Sequence, residues 1–396
     1  MRISLVVLDE DRSARGAALP APTLSPWVTG LVTSLVREHD VTIITDLDRS
    51  SLPDLALRSR RWISGSLTVR DLPRRRAGDP LSASKVRGVA RMIGEIDADV
   101  VHTVGVVAGR VVEAMGWDAA APLVWSAGRR HESAERAPVL LDWTPSRAEA
   151  VIAATRHELD RHVALGVSPD RLSEVPLRVW PTAPPATDPV VRYGQVRRVL
   201  CLLDEDPAGT IAMVRALACL PHARCLVVSR RGADSSGRAA QAVAMLVHHL
   251  HLEERVTFLP GVTDLVLEQA MRQSDVVAIL ESGEPDLPAV GAALVSGAVA
   301  LVRSGGGVEE VVEHGVSGVV LRTLDVRPLT TALRILDRDP GIRESMTVAA
   351  RRRVREVYDP ERLMAACLDV YEAACCVRNP VGTPSTGSLQ DSVVSA

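Results

Sequence analysis

Lysine, asparagine and phenylalanine are almost missing from this chain: Lys85, Asn379 and Phe258 are the only residues of their kinds. Arg therefore carries nearly all the basic charge, which reads as the codon usage of a GC-rich genome. Aromatic residues make up 3% of the sequence, so a core must be built from Val, Leu, Ala and Ile. That composition suits a parallel sheet covered by helices. The formal net charge of −3 removes any general electrostatic case for nucleic acid. No run of about 20 apolar residues is present, so no membrane-spanning segment is expected. Met1–Leu8 is too short for a signal peptide and runs into Asp9-Glu-Asp-Arg12. The six cysteines sit in apolar segments without zinc-like C-x-x-C spacing. Buried, reduced thiols in a cytoplasmic protein are the expectation.

What is present is an alternation of strand and helix patterns along 396 residues, enough for two domains. Ile3–Leu8 reads as a buried strand, Trp27–Glu38 as a helix and Val41–Thr45 as a second strand. Short strands are expected at Asp99–His102, Pro122–Ser126 and Ala150–Ala154. From Pro176 to Arg197 the chain turns proline-dense, which excludes a helix interior and marks a linker. A second series follows. Strands are expected at 198–203, 224–229, 256–259, 276–280, 298–302 and 319–322. Helices run up to Leu220 and over 238–250, 265–273, 288–296, 327–336, 342–357 and 360–375. The tail from Asn379 has Pro, Gly, Ser and Thr without periodicity, so disorder is expected there.

The segment Glu281-Ser-Gly-Glu-Pro-Asp-Leu-Pro-Ala-Val-Gly-Ala-Ala-Leu-Val-Ser-Gly297, followed by Gly305-Gly-Gly-Val-Glu-Glu310, resembles the donor-binding region of retaining GT-B glycosyltransferases of family 4. Glu284, Pro285, Gly297, Gly306, Gly307 and Glu310 are in register with the family pattern. Val151–Thr155 with Leu165–Arg171, Val256–Gly261 and Ser274–Val277 add to it. The resemblance implies an α/β chain of two Rossmann-like, doubly wound domains facing a cleft. Residues 1–178 would form the acceptor-side domain, completed by a crossing helix at 360–376. Residues 179–197 would be the linker, 198–357 the nucleotide-sugar domain, and 379–396 a disordered tail. The implied activity is transfer of a sugar from a nucleotide-diphosphate sugar to an acceptor, with retention and without a cofactor or metal.

Several chemical groups of the pattern are replaced. The family stabilises the leaving diphosphate with an Arg and a Lys after the first strand of the second domain, and such donors commonly contribute several kcal/mol each. Aligned through Gly209, those positions hold Leu203 and Ala208. The loop has instead gained Asp204, Glu205 and Asp206. A carboxylate ~5 Å from a phosphate charge costs on the order of 3 kcal/mol at an effective dielectric near 20, less when exposed to salt. The D-x-D spacing could hold Mg²⁺ or Mn²⁺, or be a solvated turn. The carboxylate for the donor ribose is replaced by Ala292, which cannot accept those hydrogen bonds. In the first domain, Thr23–Pro26 stands at the expected Gly-Gly turn, and Gly128 replaces a His.

The residues left to carry a site each have two readings. Glu284 would lie by the donor sugar or be an inherited loop residue. His102 ends its strand as a catalytic or a structural histidine, and His131 is placed to substitute for the His replaced by Gly128. Gly209 and Gly305, Gly306 and Gly307 would let backbone approach the donor, or serve tight turns. Glu310 would face the donor or its own helix dipole. Arg230, Arg231 and Arg303 end strands, where α/β proteins bind ligands, and are either replacement cations or surface residues. His248, His249 and His251 fall on an exposed helix end and read as solvated. Arg58, Arg60, Arg61 and Arg74–Arg76 form a basic patch that is a solvated face or a dock for acidic lipid headgroups or a phosphorylated acceptor. The alternative to an active enzyme is a catalytically silent GT-B protein that binds a partner glycosyltransferase or a small ligand.

Overall fold

The computed structural model describes residues 1–8, 26–45, 65–72, 83–115, 121–127, 147–179, 194–204, 206–230, 236–281 and 286–378. The first half runs β1 (Arg2–Val7), α1 (Pro26–Leu35), β2 (Asp40–Thr45), β3 (Ser66–Asp71), α2 (Ala83–Gly94), β4 (Val100–Val104), α3 (Val106–Ala114), β5 (Leu123–Ser126), β6 (Ala150–Ala153), α4 (Arg156–Ala164) and β7 (Leu172–Glu174). The second runs β8 (Arg198–Leu203), α5 (Ala208–Leu217), β9 (Arg224–Arg230), α6 (Ser236–His249), β10 (Val256–Val262), α7 (Asp264–Arg272), β11 (Val276–Ile279), α8 (Leu287–Ser296), β12 (Val299–Arg303), α9 (Val308–Val311), β13 (Val319–Leu321), α10 (Val326–Arg338), α11 (Pro340–Val357) and α12 (Pro360–Arg378).

Both sheets are parallel. The first has the order β3-β2-β1-β4-β5-β6-β7 and the second β10-β9-β8-β11-β12-β13. Each therefore reverses direction once, between β1 and β4 and between β8 and β11. Such switch points open a crevice beyond the carboxyl ends of the strands. Fully buried strands such as Val100–Val104 follow from runs of β-branched residues covered on both faces. No expectation from the sequence covers strand β3 or helices α2 and α3, which stand on either side of the expected strand at Asp99–His102. Strand β3 lies at the sheet edge and is largely half-exposed, so its apolar signal is weak.

Helix α12 leaves the second half and packs on the first sheet. Its buried residues Leu363, Cys367, Val370, Tyr371 and Ala374 recur at helical spacing and join Ile3, Leu5, Trp27, Val100 and Ile152 in one core. Tyr371 reaches His102. The ring of His102 is wholly buried, with Nδ1 2.8 Å from Tyr371 Oη and Nε2 2.9 Å from Ser126 Oγ. Within the proline-dense stretch, Leu177–Val179 forms one 3-10 turn. Val179 is buried in the second sheet's core, where its carbonyl lies 3.1 Å from where a Cβ on Gly291 of α8 would stand. Residues 180–193 and the tail 379–396 lie outside the described residues, as does the basic patch around Arg58–Arg61 and Arg74–Arg76.

Two outcomes test this packing. Burial lowers the His102 pKa from the ordinary 6.5 to about 3. The folded ring stays neutral while the unfolded ring takes a proton below ~6.5, so stability is present above that pH and is lost as pH falls toward 3. At 1.36 kcal/mol per unit, lowering the pH from 7 to 5 costs about 2 kcal/mol from this residue alone. No tryptophan follows Trp180, and Trp27 and Trp125 are buried in the first domain, so their fluorescence follows its unfolding. Urea midpoints read by that signal are expected to fall over this range, with a shallower slope in His102→Phe; equal slopes would refute the account. The second outcome concerns Gly209, in the first turn of α5. A Cβ there would lie 1.9 Å from the Leu280 carbonyl oxygen, a backbone atom that cannot swing away. Gly209→Ala is expected to cost about 1–3 kcal/mol or more by overpacking. Calorimetry with an unchanged melting temperature would contradict it.

Candidate functional site

The second sheet's switch point places two turns side by side. One is the β8–α5 turn with Asp204, Asp206 and Pro207; the other leaves β11 and leads through Glu281 and Asp286 into α8. Next to them, β12 ends in Arg303 and passes into Ser304–Gly307 and the short helix α9. Residues 282–285, and with them Glu284, lie outside the described residues. So do His131, Gly128, Glu205, Arg231 and the side chain of Arg230; the backbone of Arg230 closes strand β9.

Helix starts expose backbone N–H groups that attract anions. In this chain the chain's own carboxylates meet them. Asp206 Oδ1 accepts the Ala208 N–H at 3.0 Å, at the start of α5. Asp286 caps α8, its Oδ1 accepting the Ala289 N–H at 3.2 Å. Its own N–H is donated to Glu281 Oε2 at 2.7 Å. Pro288 brings no N–H to this end. The cleft-side end of α8 is thereby largely closed.

The glycine turn is formed as its residues demand. Gly305, Gly306 and Gly307 have φ of 132°, 60° and 81°, a run that L side chains rarely adopt. The Gly305 N–H is donated to Glu309 Oε1 at 3.1 Å, and Ser304 Oγ is donated to the same oxygen. Partial burial pushes the Glu309 carboxyl up, but these bonds and the nearby His157 outweigh it and hold it below the ordinary glutamate value. Glu309 thus stays charged on the turn.

The Glu310 carboxylate turns away from its own helix. Its Oε2 and Oε1 accept the N–H groups of Arg156 and His157, at 2.6 and 2.9 Å, across the two domains. The dipole it meets belongs to α4. Gly307 lies against Thr155, where a Cβ would stand 2.6 Å from Oγ1.

The remaining candidates divide. Arg303 is half-buried and its Nη1 donates to the Glu281 carbonyl at 3.1 Å, so it braces the strand end that leads into residues 282–285. Gly209 serves the close contact of α5 with Leu280, just beyond β11. His102 is sealed in the core between Ser126 and Tyr371, with no face on the cleft; the structural one of its two readings fits its place. Leu203 is 8% exposed and belongs to the core, so an Arg there would not reach the crevice without repacking. Ala292 is half-buried among apolar residues. His248 is exposed and its Nδ1 lies 2.7 Å from Glu253 Oε1. Among the described residues no group of three or more His, Cys, Asp or Glu side chains could hold a metal ion. No helix among them is long and apolar enough to cross a membrane. All six cysteines are free thiols.

The sequence reading passed over Thr155, Glu158, Glu281, Asp286 and Glu309. Thr155-x-x-Glu158 had a legible signal, the spacing of a capping box. Thr155 Oγ1 accepts the Glu158 N–H at 3.1 Å, and Glu158 Oε2 accepts the Ala154 N–H at 2.9 Å. Glu281 and Glu309 had none, because each finds its partner through the shape of a loop.

Residues 24–178 match the family model of the glycosyl transferase 4-like domain. No curated protein sequence gives a significant match to this chain. Solved structures do resemble it. HepE from Anabaena, solved with UDP-glucose, is 17% identical with a TM-score of 0.70, covering 93% of this chain and 99% of that one. Sucrose-phosphate synthase from Thermosynechococcus elongatus is 18% identical with a TM-score of 0.71, covering 94% and 98%. A glycosyltransferase from Rickettsia africae is 13% identical with a TM-score of 0.65, covering 94% and 98%. The chain has the GT-B fold: two Rossmann-like α/β domains, each a parallel sheet flanked by helices.

Proposed function

We propose that this chain is a glycosyltransferase that takes its sugar from a nucleotide-diphosphate donor in the cleft between the two domains. Transfer proceeds with retention, as in family 4, and without a metal or cofactor. The acceptor binds on the side of the first domain. The observation that supports this best is the glycine turn at the carboxyl end of β12. Three successive glycines hold positive φ where the second domain meets the first, beside the switch point at which α/β proteins bind ligands. The resemblance of residues 24–178 to the glycosyl transferase 4-like domain agrees with it. Free thiols and the lack of a long apolar helix among the described residues agree with a cytoplasmic place, with any membrane contact peripheral.

A second reading has its own observation. Asp206, Glu281, Asp286 and Glu309 already occupy backbone N–H groups around the switch point and glycine turn. A diphosphate would have to displace or face these charges without the Arg and Lys that other members use. That favours a catalytically silent GT-B protein serving as a binding or partner subunit.

Affinity is the first test. Loss of two cations and the ribose carboxylate removes roughly 4–8 kcal/mol from a typical micromolar site, damped by non-additivity. Calorimetry with UDP- and GDP-sugars is expected to give binding no tighter than about millimolar. A micromolar constant for any unmodified nucleotide sugar would contradict this weakening.

Turnover separates the two readings. With EDTA present, release of nucleoside diphosphate is expected with one of the donors at high concentration. Arg303 Nη1 is held on the Glu281 carbonyl, and a guanidinium carries several N–H groups, so this bond does not bar it from serving the donor. Arg303→Ala is then expected to lower kcat by about 100-fold, the usual size for loss of one transition-state donor. Arg303→Lys should keep part of the rate, since charge remains but the planar fork is lost. Unchanged turnover in Arg303→Ala would remove Arg303 from the mechanism. No turnover with any donor would select the silent protein.

A further inference from the structure

We propose that Glu310 is a positioning residue that sets the angle between the two domains, by acting as the missing first-turn acceptor of helix α4. An α-helix cannot satisfy its first backbone N–H groups by itself. In α4, Thr155 takes the N–H of Glu158, and the N–H of Leu159 goes to the Thr155 carbonyl at 3.0 Å. The N–H groups of Arg156 and His157 remain. Both go to the carboxylate of Glu310, on the opposite domain, one oxygen to each. The contact is a helix cap completed in trans, with a full negative charge on the positive end of the helix dipole.

Glu310 is also fixed from behind. Its main-chain carbonyl accepts from Tyr358 Oη at 3.3 Å and from Arg353 Nη2, while Arg353 Nε donates to the Val311 carbonyl at 3.0 Å. Helix α11 thus holds the backbone from which the carboxylate reaches out. Beside it, Gly307 lets the glycine turn come up against Thr155 with no side chain between them. Helix α9 therefore divides its two carboxylates: Glu309 folds back on the glycine turn, and Glu310 crosses the cleft. The linker turn at Leu177–Val179 against α8 is a separate crossing point. With these two points and helix α12 on the first sheet, the domains have a defined angle rather than a free hinge. What that angle does for transfer rests on the function proposed above; the latch itself does not.

The experiment uses the full chain with no ligand, so its result is independent of whether the protein turns over a sugar. Three variants are compared with the parent. Glu310→Ala removes the acceptor, and Glu310→Gln keeps one acceptor oxygen. Arg156→Pro removes one donor from the other side; Pro is tolerated at the first helical position, and Thr155 already has the extended backbone that precedes a proline. Histidine-selective ¹⁵N labelling follows the His157 amide, and X-ray scattering follows the interdomain separation. Glu310→Ala is expected to move the His157 amide upfield, speed its exchange with solvent and increase the radius of gyration. Glu310→Gln and Arg156→Pro are expected to give smaller increases, with tryptophan emission unchanged. Should Glu310→Ala fail to fold, the other two carry the test. An altered His157 amide with scattering that superposes on the parent would overturn the proposal, leaving Glu310 as a cap only. Neither signal changing would overturn the contact as well.

Discussion

The constraint on which this structure depends is the unmet backbone N–H. A parallel sheet hands each strand to a turn and a helix, and each helix begins with donors it cannot use. These ends cluster at the crevice of a doubly wound domain, which is why such crevices bind anions. Here the chain supplies the anions itself. Asp206, Glu281, Asp286 and Glu309 meet donors within their own domain, and Glu310 meets two donors of the other. One requirement thus shapes the turns at the switch point and joins the domains.

The same economy of polar groups governs the interior of the first domain. His102 is tolerated in an apolar core only because Ser126 and Tyr371 hold both ring nitrogens. Tyr371 comes from α12, whose apolar stripe completes the core of a sheet formed far earlier in the chain. The two halves are thereby tied by this apolar helix, by the turn at Leu177–Val179 and by the polar contact of Glu310.

Much of the fold was legible in the sequence. The apolar runs of β1, β2, β8, β9, β11 and β12 stand close to their expected places, because short runs rich in β-branched residues and bounded by charged or turn residues mark buried strands by their length. Strand β3 was not legible, since an edge strand shows one half-exposed face. Helix α2 was passed over, although Val86, Val89 and Ile93 mark its buried side. The site was less legible. That Gly305–Gly307 form a turn of positive φ follows from the residues alone. That Glu309 sits on that turn does not, since neighbouring carboxylates on one short helix look equivalent in a sequence.

The sequence by itself determined the two α/β series, the proline-dense break between them, and the presence of Leu203, Ala208 and Ala292 at apolar positions near the turns. These are matters of residue type and period, which act locally. Only the tertiary structure decided the roles of the polar residues that remain. His102 became a core residue because α12 returns to cover it. Gly209 serves close packing because the Leu280 carbonyl lies against it. Arg303 braces the Glu281 carbonyl, and Glu310 caps a helix 154 residues away. A hydrogen bond is fixed by distance and direction, and those are set by how the elements pack, not by their order along the chain.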